Sequence, residues 1–163
     1  DGPTVIFDDD SFYMGGAIAE KVRRAGVPVT VVTPEHVVSD WCYYTSEQYQ
    51  VQKRLLELKV EIKTTHNLLA YDGKQVTIVC IHTGRQRSIE AESLIMVTAR
   101  HPRDALYQSL KRRMENEVQT PFRSLRRIGD CEAPAIIAAA IYAGHRYARE
   151  LDTEPADRSV KLE

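Results

Sequence analysis

The sequence predicts an α/β fold of three layers, a parallel sheet with helices against it and an antiparallel β-meander. Three observations carry this. Apolar runs with little polar alternation occur at 4–8, 27–34 and 94–97, as strands covered on both faces require. Helical spacing fills the gap between the first two runs, which makes a β-α-β unit of about 30 residues with a right-handed crossover. Asp-Gly and Thr-Gly turns then punctuate residues 67–97 at hairpin spacing.

Taken in order, "TVIFD" (4–8) is a buried strand. From Gly15 to Ala25, the positions Ala17, Ile18, Val22 and Ala25 repeat on one helical face, and Gly26 supplies the stop. "VPVTVVTP" (27–34) is the second strand, ended by proline. A helix is expected over 46–58, with Val51, Leu55, Leu56 and Leu58 apolar and Ser46 or Thr45 as its cap. "VEIKT" (60–64) is a short strand. "NLLAYDGKQVTIVCIHTGRQRSIEAESLIMV" reads as a three-stranded meander followed by a buried strand at 94–97. A helix over 103–117, a strand over 123–130 ("RSLRRIGD") and a final helix from Ala133 to Leu151 complete the chain, with Pro134 in that helix's first turn.

Composition narrows the function classes. Of 163 residues, 43% are apolar and 28% charged, as in an ordinary globular domain, and a net charge of −1 gives no reason to expect nucleic acid or an anionic membrane as partner. No apolar run is long enough to span a bilayer. Cys42, Cys80 and Cys131 are odd in number and far apart, so neither a disulfide framework nor a metal centre is expected, and a reducing, cytoplasmic setting is. The first residue, Asp1, and the final Leu-Glu suggest an excised piece, with 152–163 a polar, disordered tail ending in a tag scar.

The stretch "VIFDDDSFYMGGAIAEKV" has the strand–turn–helix order of a dinucleotide-binding fingerprint with the wrong chemistry in its turn. In that fingerprint the first glycine permits a tight turn, the second lets the backbone reach a pyrophosphate, and the third lets helix and strand pack closely. Here Asp8 and Asp10 stand at the first two positions, and Gly15 or Gly16 fills the third role. A carboxylate 4 to 5 Å from a phosphate costs about 3 to 4 kcal/mol at an effective dielectric near 20. Thr33 ends the second strand where an acid usually holds the ribose hydroxyls. The acids are therefore expected to serve the helix N-terminus, by dipole and capping, in the place of an external anion. A metal held by Asp8, Asp9 and Asp10 is the weaker alternative, because consecutive acids on a turn do not converge.

This order of elements is the plan of nicotinamide-binding domains in two-dinucleotide flavoproteins. "VIFDDDSFYMGGAIAEKV", "LIMVTARHP" and "RIGDCEAPAIIAAAIYAGHRYAREL" resemble the C-terminal region of trimethylamine and dimethylamine dehydrogenase-type enzymes. These belong to the NADH:flavin oxidoreductases, with 2,4-dienoyl-CoA reductase among their relatives. The resemblance implies a Rossmann-like FAD/NAD(P)-binding-type domain over 1–151, part of a larger flavoenzyme, with 129–151 returning to an ADP-side domain. It implies a parent with FMN in a TIM barrel, a 4Fe-4S cluster and ADP, oxidising a methylated amine and passing electrons to an electron-transferring flavoprotein. The cofactor-contacting positions carried over are Gly15, Gly16, Thr33, Gly129 and Asp130, the last two as half of an ADP site or as a helix cap. The chain alone is expected to hold no catalytic residue. The alternative is an NAD(P)H-binding domain of a dienoyl-CoA reductase-like enzyme. Trp41, Tyr43, Tyr44 and Tyr49 form an aromatic span that either docks on its own domain or meets a protein partner. The five histidines have neither metal-ligand nor catalytic spacing.

Overall fold

A computed structural model describes residues 2–116, 122 and 124–151, and the chain divides into two compact units, residues 1–99 and 100–163. The expected tail at 152–163 lies outside the described residues.

In the first unit, β1 (Thr4–Asp8), β2 (Val29–Val32), β3 (Glu61–Lys63) and β7 (Ser93–Val97) form a parallel sheet in the order β3-β2-β1-β7. The continuous apolar runs are explained by what covers them. On one face, Ile6 and Val31 pack with Ala19 of α1 (Tyr13–Arg24) and Leu55 of α2 (Gln48–Glu57). On the other, Val5, Phe7 and Val32 pack with Val76 and Ile78 of a second, antiparallel sheet. That sheet, β4 (His66–Tyr71), β5 (Gln75–Cys80) and β6 (Gln86–Glu90), is the expected meander. Burying both faces removes each Val or Ile side chain from water at about 1.5 to 3 kcal/mol apiece, which is why the strands tolerate so little polarity.

Turn chemistry follows the sequence. Gly26 stops α1 at φ +91° and donates its N–H to the Arg23 carbonyl. The Asp72 carboxylate accepts the N–H groups of Lys74 and Gln75 around Gly73, at φ +93°.

The second helix departs from expectation. It starts at Gln48, and neither Ser46 nor Thr45 caps it. Ser46 sits at φ +60°, and the Thr45 hydroxyl is bonded to the Cys42 carbonyl and the Glu47 carboxylate. A 3-10 turn over Asp40–Tyr43 precedes this corner and redirects the chain.

In the second unit, α3 spans Ala105–Asn116 and α4 spans Ile137–Glu150. Asp104 accepts bonds from Gln108 and from Arg127, whose guanidinium lies 4.9 Å from the Tyr107 ring centre. Two expectations fail here. The strand predicted over 123–130 is not formed: among the described residues, 124–128 join no ladder, and a strand without a neighbour cannot satisfy its backbone. The last helix starts four residues later than predicted, because residues 129–131 form a 3-10 turn and Pro134 lies before the helix.

A candidate nucleotide-type cleft closed by its own residues

In open α/β sheets, ligands bind beyond the carboxyl ends of the strands, and the β1–α1 turn is such an end. Asp8 is the last residue of β1, paired with Val97, and is wholly buried. One carboxylate oxygen accepts the Ser11 N–H at 3.0 Å, while the other, Oδ2, is buried without a hydrogen-bond partner. Burial pushes the Asp8 carboxyl up to about 6. The bond from Ser11 opposes this, and the charges of Asp10 and Asp9 add to it.

Three backbone donors of the turn are engaged within the chain. The Asp9 and Asp10 N–H groups both donate to the Val97 carbonyl, at 2.8 and 3.2 Å, and the Ser11 N–H is held by Asp8. Ser11 adopts φ +57°, and its carbonyl accepts the Trp41 N–H at 3.0 Å. Trp41 then stacks on Phe12, with ring centres 5.5 Å apart. The 3-10 turn at Asp40–Tyr43 thus straps the β1–α1 turn from outside. Cys42 is buried within the strap, and its thiol is pushed up by burial, then by the nearby Glu47 and Asp8 charges.

The two glycines that open α1 have separate jobs. A Cβ on Gly15 would lie 2.1 Å from Asp8 Oδ2, so this glycine makes room for the buried carboxylate. A Cβ on Gly16 would lie 2.6 Å from Val51 Cγ1 and 3.2 Å from the Ser39 hydroxyl, so this one lets α1 approach α2. The sequence singled out both positions, but the carboxylate nested against Gly15 was legible only as an acid near a helix end.

Of the other positions singled out, Thr33 is buried. Its hydroxyl oxygen accepts the Glu35 N–H, its own N–H donates to the Lys63 carbonyl, and its carbonyl accepts the His66 N–H. Gly129 takes φ +60° in the second unit. Asp130 Oδ1 accepts the Ala135 N–H at 3.4 Å, bridging the turn that leads into α4. Asp8, Asp9 and Asp10 diverge: the first is buried and the second exposed. Among the described residues, no group of three or more His, Cys, Asp or Glu side chains could hold a metal ion. The three cysteines are free, one fewer than the four thiolates a 4Fe-4S cluster takes. The rings of His36 and His82 stack at 6.5 Å, a pairing that sequence spacing did not signal. Among the described residues, no helix is long and apolar enough to cross a membrane.

Comparison with known proteins agrees with the resemblance read from the sequence. The family described as the OYE-like second alpha/beta domain matches residues 2–88. Dimethylamine dehydrogenase of Hyphomicrobium sp. (strain x) is 31% identical over 170 residues, covering 93% of this chain and 23% of that protein. Histamine dehydrogenase from Rhizobium sp. 4-9 superposes with a TM-score of 0.88 at 40% identity, covering 96% of this chain and 24% of the dehydrogenase. The 6-hydroxypseudooxynicotine amine oxidase (HisD) of Pseudomonas geniculata N1 gives a TM-score of 0.82 at 29% identity, covering 93% of this chain and 22% of the oxidase. The chain therefore spans about a quarter of the length of these relatives.

Proposed function

Because this chain belongs to the OYE-like second alpha/beta domain family, we propose that it is a non-catalytic, Rossmann-like domain of a larger amine dehydrogenase-type oxidoreductase. In this reading its pyridine-nucleotide cleft no longer takes NAD(P), and the parent delivers electrons to an electron-transferring flavoprotein. The observation that carries the reading is the occupied β1–α1 turn. Asp8 occupies its interior, and the N–H groups of Asp9, Asp10 and Ser11 are bonded within the chain. A pyrophosphate would have to break those bonds and also meet the acids, at about 3 to 4 kcal/mol for a carboxylate 4 to 5 Å away.

FMN and the cluster belong, in this reading, to parts of the parent beyond these residues, and no step through them is derived from this chain. The second unit is read as returning to an ADP-side domain. Ile137, Ile141 and Leu151 of its last helical stretch are exposed, and 124–128 joins no strand ladder among the described residues. Both features suit a sheet supplied by the parent. Gly129 and Asp130 would then contribute half of an ADP site, the carboxylate accepting hydroxyl hydrogen bonds.

An amide NMR titration with NADH, NADPH and ADP tests this. Silence at residues 8–16 with all three is expected, with any ADP shifts weak and confined to 129–136. Saturable shifts at residues 8–16 with a reduced nucleotide would overturn the closed-cleft reading in favour of an NAD(P)H-dependent reductase.

A further inference from the structure

The outer face of the strap is not accounted for by closing the cleft. Trp41 is 48% exposed, and Tyr43 and Tyr44 are 76% and 77% exposed, while the Trp41 and Tyr44 N–H groups donate to the Ser11 and Trp41 carbonyls. The rings form one continuous layer: Phe12 on Trp41, Trp41 against Tyr44 at 5.2 Å, and Tyr44 edge-on to Tyr43 at 6.3 Å. The layer is anchored from below by buried Cys42 and by the bond from the Trp41 N–H to Ser11. Aromatic groups held in this way lose little freedom on binding, which is what makes them strong interface anchors.

The stretches that carry the layer hold acids and no lysine or arginine. Residues 1–20 and 27–52 contain no lysine or arginine, although the whole chain has 22. Asp9 in the turn, Asp40 beside Trp41 and Glu47 just beyond Tyr44 all stand on these stretches, with Asp9 and Glu47 exposed. An aromatic centre with a carboxylate rim is the make-up of a surface that meets a separate partner. Faces buried permanently within one protein are more apolar. The exposed stripe of Ile137, Ile141 and Leu151 in the second unit has that second make-up.

We propose that the Phe12–Trp41–Tyr44–Tyr43 layer, with Asp9, Asp40 and Glu47, is a docking surface for a separate protein whose contact face presents arginine and lysine. Guanidinium and ammonium groups are attracted both to the ring faces and to the carboxylates, and the carboxylates steer the approach of a basic partner. The proposal does not rest on the redox reading, since it needs neither a closed cleft nor a particular electron acceptor.

The test is fluorescence anisotropy of a labelled Arg-Gly repeat peptide titrated with the full-length protein at low salt. Wild type is expected to bind saturably and to weaken as salt rises. The triple variant Asp9→Asn/Asp40→Asn/Glu47→Gln and the double variant Tyr43→Ala/Tyr44→Ala should each weaken binding about tenfold or more. Neutralising Glu57, Glu90 and Glu115 together, on other elements, should change it less than about twofold. Equal losses in the patch and control variants would overturn the proposal, because binding would then follow bulk charge. Unchanged affinity in both patch variants would overturn it too, as would be found if the rest of the protein covers this face.

Discussion

Replacing Asp8 by asparagine should remove a pH-dependent cost that the native fold carries. A carboxyl held near 6 in the folded chain, against an ordinary value of 3.8, makes the ionised form about 3 kcal/mol costlier inside than in the unfolded chain. The sign follows from the direction of displacement. A folded pKa above the unfolded one means that the unfolded chain loses its proton first, so stability falls as pH rises from about 4 through 6. Above the folded value the full cost of about 3 kcal/mol is present, and between pH 4.5 and 8 about 2 kcal/mol of it develops.

Asparagine is close in shape and cannot ionise. Its carbonyl oxygen can keep the Ser11 N–H, but its amide nitrogen would fall where Oδ2 has no partner. An unsatisfied buried donor costs about 1 to 3 kcal/mol at every pH. Protonated Asp8 places its own O–H at the same spot, so the variant should gain about 2 kcal/mol relative to wild type between pH 4.5 and 8. Urea unfolding followed by fluorescence of Trp41, the sole tryptophan, measures both proteins at each pH. Comparing the two proteins cancels the other titrating groups. A stability difference between variant and wild type that is the same at pH 4.5 and 8 would refute the reasoning, since Asp8 would then carry no displaced titration.

Gly15→Ala should destabilise the first unit by more than about 2 kcal/mol, because its Cβ would strike Asp8 Oδ2 at 2.1 Å. In an Asp8→Ala background most of that loss should vanish, a coupling that denaturant melts of the four proteins in the cycle would measure. The two cysteines of the first unit should separate on alkylation with iodoacetamide near neutral pH. Cys80 is drawn down by the Thr83 hydroxyl and the His82 and Thr83 N–H groups, so it should react well before Cys42, which burial pushes up. Hydrogen exchange should show 124–128 protected in the full-length protein, because in the proposed reading this segment joins a ladder once the parent supplies a neighbouring strand. Exchange there at the rate of an open chain would count against a returning second unit.

The parts of the fold that sequence made legible were those where one local pattern and one tertiary demand coincide. β1 and β2 are mostly apolar because helices cover one face and the meander the other, while β7 at the sheet edge keeps Met96 half exposed, and Asp72–Gly73 marks its hairpin by backbone chemistry alone. The start of α2 was not legible. Ser46 and Thr45 both look like caps, but the preceding 3-10 turn forces Ser46 into a left-handed conformation and takes the Thr45 hydroxyl for itself. The strap was visible only as a cluster of aromatic residues, since its stacking on Phe12 depends on an approach across about 30 residues of chain that no periodicity encodes.

The replaced fingerprint shows why the glycines that remain are informative. A glycine can be required by a ligand that must come close or by the chain itself, and a sequence does not distinguish these. The structure does, through what a Cβ would strike. At Gly15 and Gly16 it would strike Asp8, Val51 and Ser39, which are all parts of this fold. At the position where a fingerprint glycine permits the tight turn the chain has Asp8, and where one lets the backbone reach a pyrophosphate it has Asp10. In the proposed reading, the glycine that serves helix packing is kept and the one that serves pyrophosphate approach is not. That asymmetry is expected of a domain that keeps the architecture of a nucleotide fold for its own stability, with the Asp8 carboxylate inside the cleft at a cost of about 3 kcal/mol at neutral pH and above.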